Sequence, residues 1–417
     1  MKICYIYQDQ YPWDVRVDKI MNSLADMNYE GHIVCRNRDG LPREEWVRDN
    51  LCIHRLWTTS DSVLRNIINF PAFFSPFWLH EIITVVKESK PDLIIVRDLP
   101  MAPAALFAGK LTSLPVIMDM AEDYPAMIRD TWTYGSPRPL DYVLRNPRLL
   151  RILEKWLLPR LDGFLVVSNP SKERVQKLIG SLEKPIWVVG NTPRLQSNGM
   201  NTHPIVQKLR KFSGLILLYV GGLEEGRGLE TVIRAVPLIK KEIGSLLLMI
   251  VGKGSAEMKL KELVKELGVE DNVDFGGWIE PKYIPLIISE ADIGLIPHYV
   301  TEHTNTTLPN KLFDYMAQKK PVIVTNSLSL KEIVLSNQCG RVYNDKDTSH
   351  LKRTVMELTD PDLRKKLGEA GFNAVMKRYN WNIDRKILLE AISHFSSGRP
   401  EKAYPVPEDN EGPQNGD

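Results

Sequence analysis

The sequence predicts an α/β protein made of two doubly wound parallel sheets in tandem, facing each other across a cleft. Three observations predict it. Short apolar, β-branched runs alternate with helix-period segments through residues 1–190, and the same alternation restarts at 214 and continues to 380. Between them, residues 191–213 include the polar, turn-rich stretch NTPRLQSNGMNTHP, which reads as a linker. The length agrees, because 417 residues exceed one ordinary core and divide naturally into two domains of about 200 residues each.

In the first half, residues 3–7 form a buried strand, and 15–27 carry helical spacing through Val17, Ile20, Leu24 and Met27. Strands follow at 31–35 and 51–54. The apolar, aromatic stretch 70–87 turns helical in its later part. A strand at 93–96 precedes an alanine-rich helix at 102–111. After the strand at 116–118 comes a longer irregular piece, and strands at 163–167 and 186–189 close the set. Such alternation means a parallel sheet covered on both faces.

The second half reads as strand 215–220, helix 229–241, strand 246–251, helix 256–267 and strand 273–275. It continues with helix 283–289, strand 293–296, helix 330–335 and further helices through 348–379. A last helix at 381–395 is expected to return to the first domain. The tail, 396–417, lacks apolar periodicity and is expected to be disordered.

Composition removes several function classes. Hydrophobic residues at 43% and charged residues at 25% are those of a soluble globular protein. A net charge of +2 gives no electrostatic case for nucleic acid. The four cysteines (Cys4, Cys35, Cys52 and Cys339) lack metal-like spacing, and the eight histidines form no metal constellation along the chain. With no long apolar segment and no secretory leader pattern, a cytoplasmic location is expected.

The stretch 305–324, NTTLPNKLFDYMAQKKPVIV, concentrates the candidate chemistry. Pro309 is expected to open a helix, with the amides of Thr306, Thr307 and Leu308 gathered at its positive end as a phosphate seat. One turn in, the lone carboxylate Asp314 is placed to hold a ribose, although it can equally pair with Lys311 three residues earlier. The run LLYVGGLEEGRGLETVIRA places Gly221 and Gly222 after a strand and Arg227 at a helix start, where a guanidinium suits a pyrophosphate. Gly252 ends the next strand with a second open turn. Neither dinucleotide nor P-loop spacing is present, and no Asp-x-Asp is expected on a strand end.

On the opposite half, Asp98, Glu122 and Asp123 are candidates to bind sugar hydroxyls or stabilise positive charge, and Arg16 to reach a phosphate across the cleft. Asp98 and Asp119 also have a plain alternative role as helix caps. The stretch 145–160, RNPRLLRILEKWLLPR, from Arg145 to Arg160, is basic and amphipathic. It suits either peripheral contact with an anionic membrane or packing on the sheet with a solvated basic face.

These segments together resemble the family-4 retaining glycosyltransferases. PNKLFDYMAQKKPVIV looks like that family's donor-site segment, and VGGLEEGRGLETVIRA like its first turn in the nucleotide-binding domain. YPWDVRVDKI and LPVIMDMAEDYPA look like its acceptor-domain segments. The resemblance covers all but the tail and implies the GT-B fold, two Rossmann-like domains across a cleft. It also implies a retaining transfer from a UDP- or GDP-linked sugar to a glycan or lipid-linked hydroxyl, with no separate cofactor, and metal independence is expected from the missing Asp-x-Asp.

Carried onto this chain, the resemblance gives Arg227 the donor pyrophosphate, the backbone of 306–308 the diphosphate and sugar, and Asp314 the ribose. Glu122 and Asp98 stand as the catalytic candidates. Three departures from the family pattern stand out: Thr306 and Asp314 occupy the places of two glutamates, Gly222 that of a basic residue, and Ala121 that of a histidine. A catalytically degenerate binder of nucleotide sugars, or a nucleotide-sugar epimerase, are the alternatives on the same fold.

Overall fold

The computed structural model describes residues 1–396 except 13, 71–74, 136, 138, 140 and 196–202. The polar tail and part of the expected linker lie outside the described residues. The first sheet has eight strands: β1 (Lys2–Ile6), β2 (Glu30–Cys35), β3 (Glu44–Arg48), β4 (Leu51–Arg55), β5 (Leu93–Arg97), β6 (Val116–Met120), β7 (Gly163–Val166) and β8 (Ile186–Val188). Their spatial order is β3-β4-β2-β1-β5-β6-β7-β8, parallel throughout except for the antiparallel edge pair β3/β4. The second sheet comprises β9 (Leu215–Val220), β10 (Leu246–Val251), β11 (Val273–Gly277), β12 (Ile293–Ile296), β13 (Val322–Thr325) and β14 (Gly340–Tyr343). It runs β11-β10-β9-β12-β13-β14, all parallel. This is the two-sheet α/β architecture that the alternation predicts.

Residue parity explains how each strand serves two cores. On β1, Cys4 and Ile6 join Val34, Ile94, Val96 and Met118 on one face. Ile3 and Tyr5 join Ile33, Ile95 and Ile117 on the other, under Val17, Ile20, Met21 and Leu24 of helix Val15–Ala25. Successive side chains point to opposite faces, so a strand buried on both sides reads as an unbroken apolar run.

Several expectations need correction. The piece after β6 is not irregular: Asp123 caps helix Tyr124–Tyr134 by accepting from the Ala126 amide at 3.1 Å, and helix Pro147–Leu157 follows. Strands β3 and β14 carry no strong alternation and escape the pattern. Helix Pro204–Lys211 lies within the expected linker and buries Val206 and Leu209 in the second half's core. The final helix, Trp381–His394, packs on the first sheet's side. Trp381 Nε1 donates to Ser23 Oγ at 2.8 Å, and the Asp384 carboxylate accepts from the Gly190 amide at 3.0 Å.

Each sheet reverses its order once, at β1/β5 and at β9/β12. The loops leaving the carboxyl ends of these strands face one another, which is where doubly wound sheets bind ligands.

Candidate functional site

Two loops of the second half build the site: 221–228 after β9 and 297–310 after β12. Helix Lys311–Ala317 then carries Lys311 and Asp314. The Lys311 ammonium sits 3.9 Å from the centre of the Tyr219 ring and 3.4 Å from His298 Nε2. Gly221 makes room for it. A Cβ there would come within 2.6 Å of Lys311 Nζ, and the backbone φ of +140° is strained for any other residue. Among the described residues, neither the Arg227 guanidinium nor Lys311 forms an ion pair with a carboxylate.

Charge accumulates as a result. Burial, with Arg227 adding to it, pushes the Lys311 pKa well below the usual lysine value, against the pull of Asp314. His298 is buried, and burial plus the Lys311 and Arg227 charges hold it well below the imidazole range, so it is neutral. Arg227 and the strained Lys311 ammonium beside a neutral imidazole, with no acid ion-paired to either among the described residues, form a cradle in which a bound anion would hold Lys311 charged. Asp314 is half-buried and accepts no hydrogen bond among the described residues. Burial lifts its carboxyl to about 6, with Lys19 of the first half and Lys311 pulling it back.

Other expected donor contacts are engaged elsewhere. The amides of Thr306 and Thr307 both donate to the His303 carbonyl, at 3.1 and 3.2 Å, and so do not face an open phosphate seat. Helix Lys311–Ala317 begins two residues after Pro309, with Asn310 at its N-cap. Leu308 is buried in the core. Thr306 Oγ1 donates to the His303 carbonyl at 3.0 Å, and the Thr306 carbonyl accepts from Ser168 Oγ of the first half at 2.5 Å. Gly252 is a packing glycine: a Cβ there would lie 1.9 Å from the Gly221 carbonyl oxygen, so the two βα turns touch backbone to backbone. Gly222 is exposed, and its carbonyl accepts from Tyr219 Oη at 2.7 Å.

The structure also adds an Asp-x-Asp that the predicted strands lack. Asp345-Lys346-Asp347 follows β14, but Asp345 accepts from the Val300 amide at 3.1 Å and Asp347 caps helix Thr348–Glu357.

Across the cleft, the first half's edge is saturated. Arg16, expected to reach a phosphate, is buried. Its Nη2 pairs with Asp119 at 2.6 Å, and its Nη1 donates to the Val189 carbonyl at 2.7 Å. Arg97 joins Asp14, Asp98 and Asp119 at 3.1 to 3.2 Å, and Tyr5 Oη donates to Asp119 at 2.6 Å. Burial alone would raise the Asp119 carboxyl, but Arg16 and Arg97 outweigh it and hold it at about 2. Asp98 accepts from the Ala121 and Glu122 amides at 3.0 and 3.3 Å. Burial lifts it to about 6 against Arg97. It acts as a loop cap, and the residue is only 6% exposed.

Glu122 is different. Its Oε2 lies 2.6 Å from His303 Nε2 of the second half, and His303 Nδ1 lies 3.4 Å from Asp130 Oδ2. Burial would lower the His303 pKa, but hydrogen bonds and charge from Asp130 and Glu122 raise it to about 9, so both ring nitrogens donate. Thr301 Oγ1 donates to Asp130 at 2.7 Å, and Glu302 bridges Arg129 and Arg151 at 2.8 and 3.2 Å. A pocket of about 360 Å³ remains between the halves, lined by Asp130, Tyr134, Glu224, Arg227, Tyr299 and His303. That volume is within the range of small-ligand sites, roughly 300–1,000 Å³.

His303 is the residue that sequence reasoning missed. Its partners are 173 and 181 positions away in the chain, and no local spacing could announce them. It places an imidazole beside Glu122, where Ala121 leaves the family's usual histidine absent.

Comparison with known proteins gives the family and the fold. Residues 14–192 match the model described as "Glycosyl transferase 4-like domain" and residues 205–374 the model "Glycosyl transferases group 1". The chain belongs to the family-4-like glycosyltransferases. Its fold is GT-B. Sucrose-phosphate synthase from Thermosynechococcus elongatus superposes with a TM-score of 0.76 at 16% identity, covering 96% of this chain and 100% of that one. Anabaena HepE, solved with UDP-glucose, gives 0.67 at 15%, covering 94% and 100%.

By sequence, glycogen synthase of Mycobacterium tuberculosis is 21% identical over 295 residues, 70% of this chain and 66% of the relative. Chitobiosyldiphosphodolichol beta-mannosyltransferase of Debaryomyces hansenii is 26% identical over 227 residues, 49% of this chain and 48% of the relative. The chain thus spans about two thirds or less of the length of these curated relatives.

Proposed function

We propose that this protein transfers a sugar from a UDP- or GDP-linked donor to a hydroxyl acceptor, with retention at the anomeric carbon. The observation that carries this reading is the unbalanced cation pair, Arg227 and Lys311, beyond the carboxyl end of β9. A diphosphate supplies the missing negative charge, and Asp314 faces the ribose hydroxyls beside it. As the sugar–phosphate bond breaks, charge grows on the leaving diphosphate and the two cations stabilise it in a site that excludes water. They take the place that a bound metal holds in Asp-x-Asp sites. The acceptor hydroxyl attacks from the same face, and its proton passes to the departing phosphate oxygen. The Glu122 carboxylate, held by protonated His303, accepts from the sugar hydroxyls.

The solved complex of HepE with UDP-glucose on the same fold supports a nucleotide-sugar donor. For the acceptor, helix Pro147–Leu157 leaves Leu149, Ile152 and Trp156 exposed among Arg145, Arg148, Lys155 and Arg160. That face suits an anionic membrane surface carrying a lipid-linked glycan acceptor. No helix of the described residues is long and apolar enough to cross a membrane.

A thermal-shift screen of the purified chain against nucleoside diphosphates, followed by NMR of product from UDP- and GDP-sugars, tests this reading. One nucleotide is expected to raise the melting temperature, and its sugar conjugate to be consumed with the anomeric configuration kept. Binding without turnover would favour the catalytically degenerate alternative. A donor converted without acceptor would favour the epimerase.

A further inference from the structure

Far from the cleft, the outer edge of the first sheet gathers a second set of chemically capable side chains. Sequence spacing predicts no metal constellation, but strand register creates one. In the parallel β2/β4 pair, His32 lies opposite Cys52 and Val34 opposite His54. In the antiparallel β3/β4 pair, Glu44 lies opposite His54 and Trp46 opposite Cys52. Because side chains alternate, Glu30 and His32 on β2, Cys52 and His54 on β4, and Glu44 and Trp46 on β3 all share one face.

The geometry within that face is tight. His32 Nδ1 and His54 Nε2 are 3.0 Å apart, and the donor atoms of His32, Cys52 and His54 all lie within 4.8 Å of one another. Glu44 Oε1 is 3.8 Å from Cys52 Sγ. Ligands bound to one tetrahedral zinc at about 2.0–2.3 Å stand about 3.3–3.8 Å from each other, so small rotations bring these four into range. His32 and Cys52 are buried, His54 is half-buried and Glu44 is exposed, which leaves an entry path on the β3 side.

An outer partner fixes the imidazole. His32 Nε2 lies 3.0 Å from Glu30 Oε1, which is itself paired with Lys2 at 2.8 Å. A carboxylate there holds the proton on Nε2 and leaves the Nδ1 lone pair facing His54. This carboxylate–histidine arrangement orients metal-binding imidazoles. Trp46 packs edge-on against the same ring, with centroids 5.9 Å apart.

We propose that His32, Cys52 and His54, completed by Glu44, bind one divalent zinc-type ion that clips edge strands β3 and β4 to β2. Two nitrogens, one sulfur and one oxygen are a borderline-soft set that suits zinc or cobalt over magnesium or calcium. On binding, Cys52 loses its thiol proton to solvent and its sulfur becomes the anionic ligand.

The experiment titrates cobalt(II) alone into the full, chelator-stripped protein and follows its absorption. One equivalent is expected to bind, with the visible bands of tetrahedral cobalt and a thiolate-to-cobalt charge-transfer band. Zinc should displace it and raise the melting temperature. Cys52→Ser should abolish the charge-transfer band, and Glu30→Gln should weaken affinity about 10–100-fold. Because Cys52 is buried, circular dichroism checks each fold. If Cys52→Ser fails to fold, His54→Gln at its half-exposed position decides by losing stoichiometric binding. Absence of stoichiometric cobalt binding, or binding unchanged in His54→Gln, overturns the proposal and leaves the 3.0 Å contact as a simple imidazole–imidazole hydrogen bond. Nucleotide binding at the cleft is independent of either outcome.

Discussion

The two sheet edges that face each other across the cleft use the same residue types to opposite ends. On the first, Arg16 and Arg97 are matched against Asp14, Asp98 and Asp119, with Tyr5 and backbone groups taking the remaining valences. On the second, among the described residues, Arg227 and Lys311 stand beside a neutral His298 with no acid ion-paired to either, and Asp314 accepts no hydrogen bond. A saturated network holds a fold together. An unsaturated one awaits a ligand. The difference is in pairing, because both edges carry cations and acids at the ends of parallel strands.

The largest expected effect breaks the saturated side. Asp119→Ala removes the carboxylate between two buried guanidinium groups and should cost about 3–5 kcal/mol of folding stability, read by urea unfolding. The surviving folded protein should bind nucleoside diphosphate as before. A loss of affinity larger than the loss of stability would show that the first edge also touches the donor.

Next comes the unsaturated side. Arg227→Ala should weaken nucleoside diphosphate binding by about 1.5–3 kcal/mol, roughly 10–150-fold, because a charge-assisted contact is lost. Its folding stability should stay within about 0.5 kcal/mol of the parent, since among the described residues no carboxylate pairs with the guanidinium. Calorimetry beside urea unfolding gives both numbers, and the reverse pattern would make Arg227 structural.

The smallest effect concerns the latch between the edges. His303 has a pKa raised to about 9 by Asp130 and Glu122, against an ordinary value near 6.5. A raised histidine contributes stability that is full below the ordinary value and fades as pH rises through about 9. Closure, followed by small-angle scattering, should therefore loosen between about pH 6.5 and 9, and His303→Gln should flatten that dependence. An unchanged pH profile in the variant would remove His303 from the latch.

Much of this was legible before any coordinates. Strand 215–220, the glycine turn and Arg227 could be read because parallel strands buried on both faces leave continuous apolar runs, and glycine marks the turns between them. Asp314 stood out as a lone acid on an apolar helix. What escaped were β3 and β14, whose short mixed sequences are fixed by neighbouring strands. Thr306 and Thr307 were misjudged for a related reason: a loop's amides look free in sequence until the turn through His303 claims them.

The sequence by itself determined the two sheets, the break between them and the cation after β9, because these follow from local periodicity and turn chemistry. Only tertiary structure decided which charged residues are paired. Arg16 and Arg227 look equally available along the chain, yet Asp119, 103 positions away, neutralises the first, and among the described residues no carboxylate pairs with the second. His303 meets Glu122, and His32 meets Cys52 and His54, by the same rule. Pairing depends on distance in space, and a linear sequence fixes that distance only after it has folded.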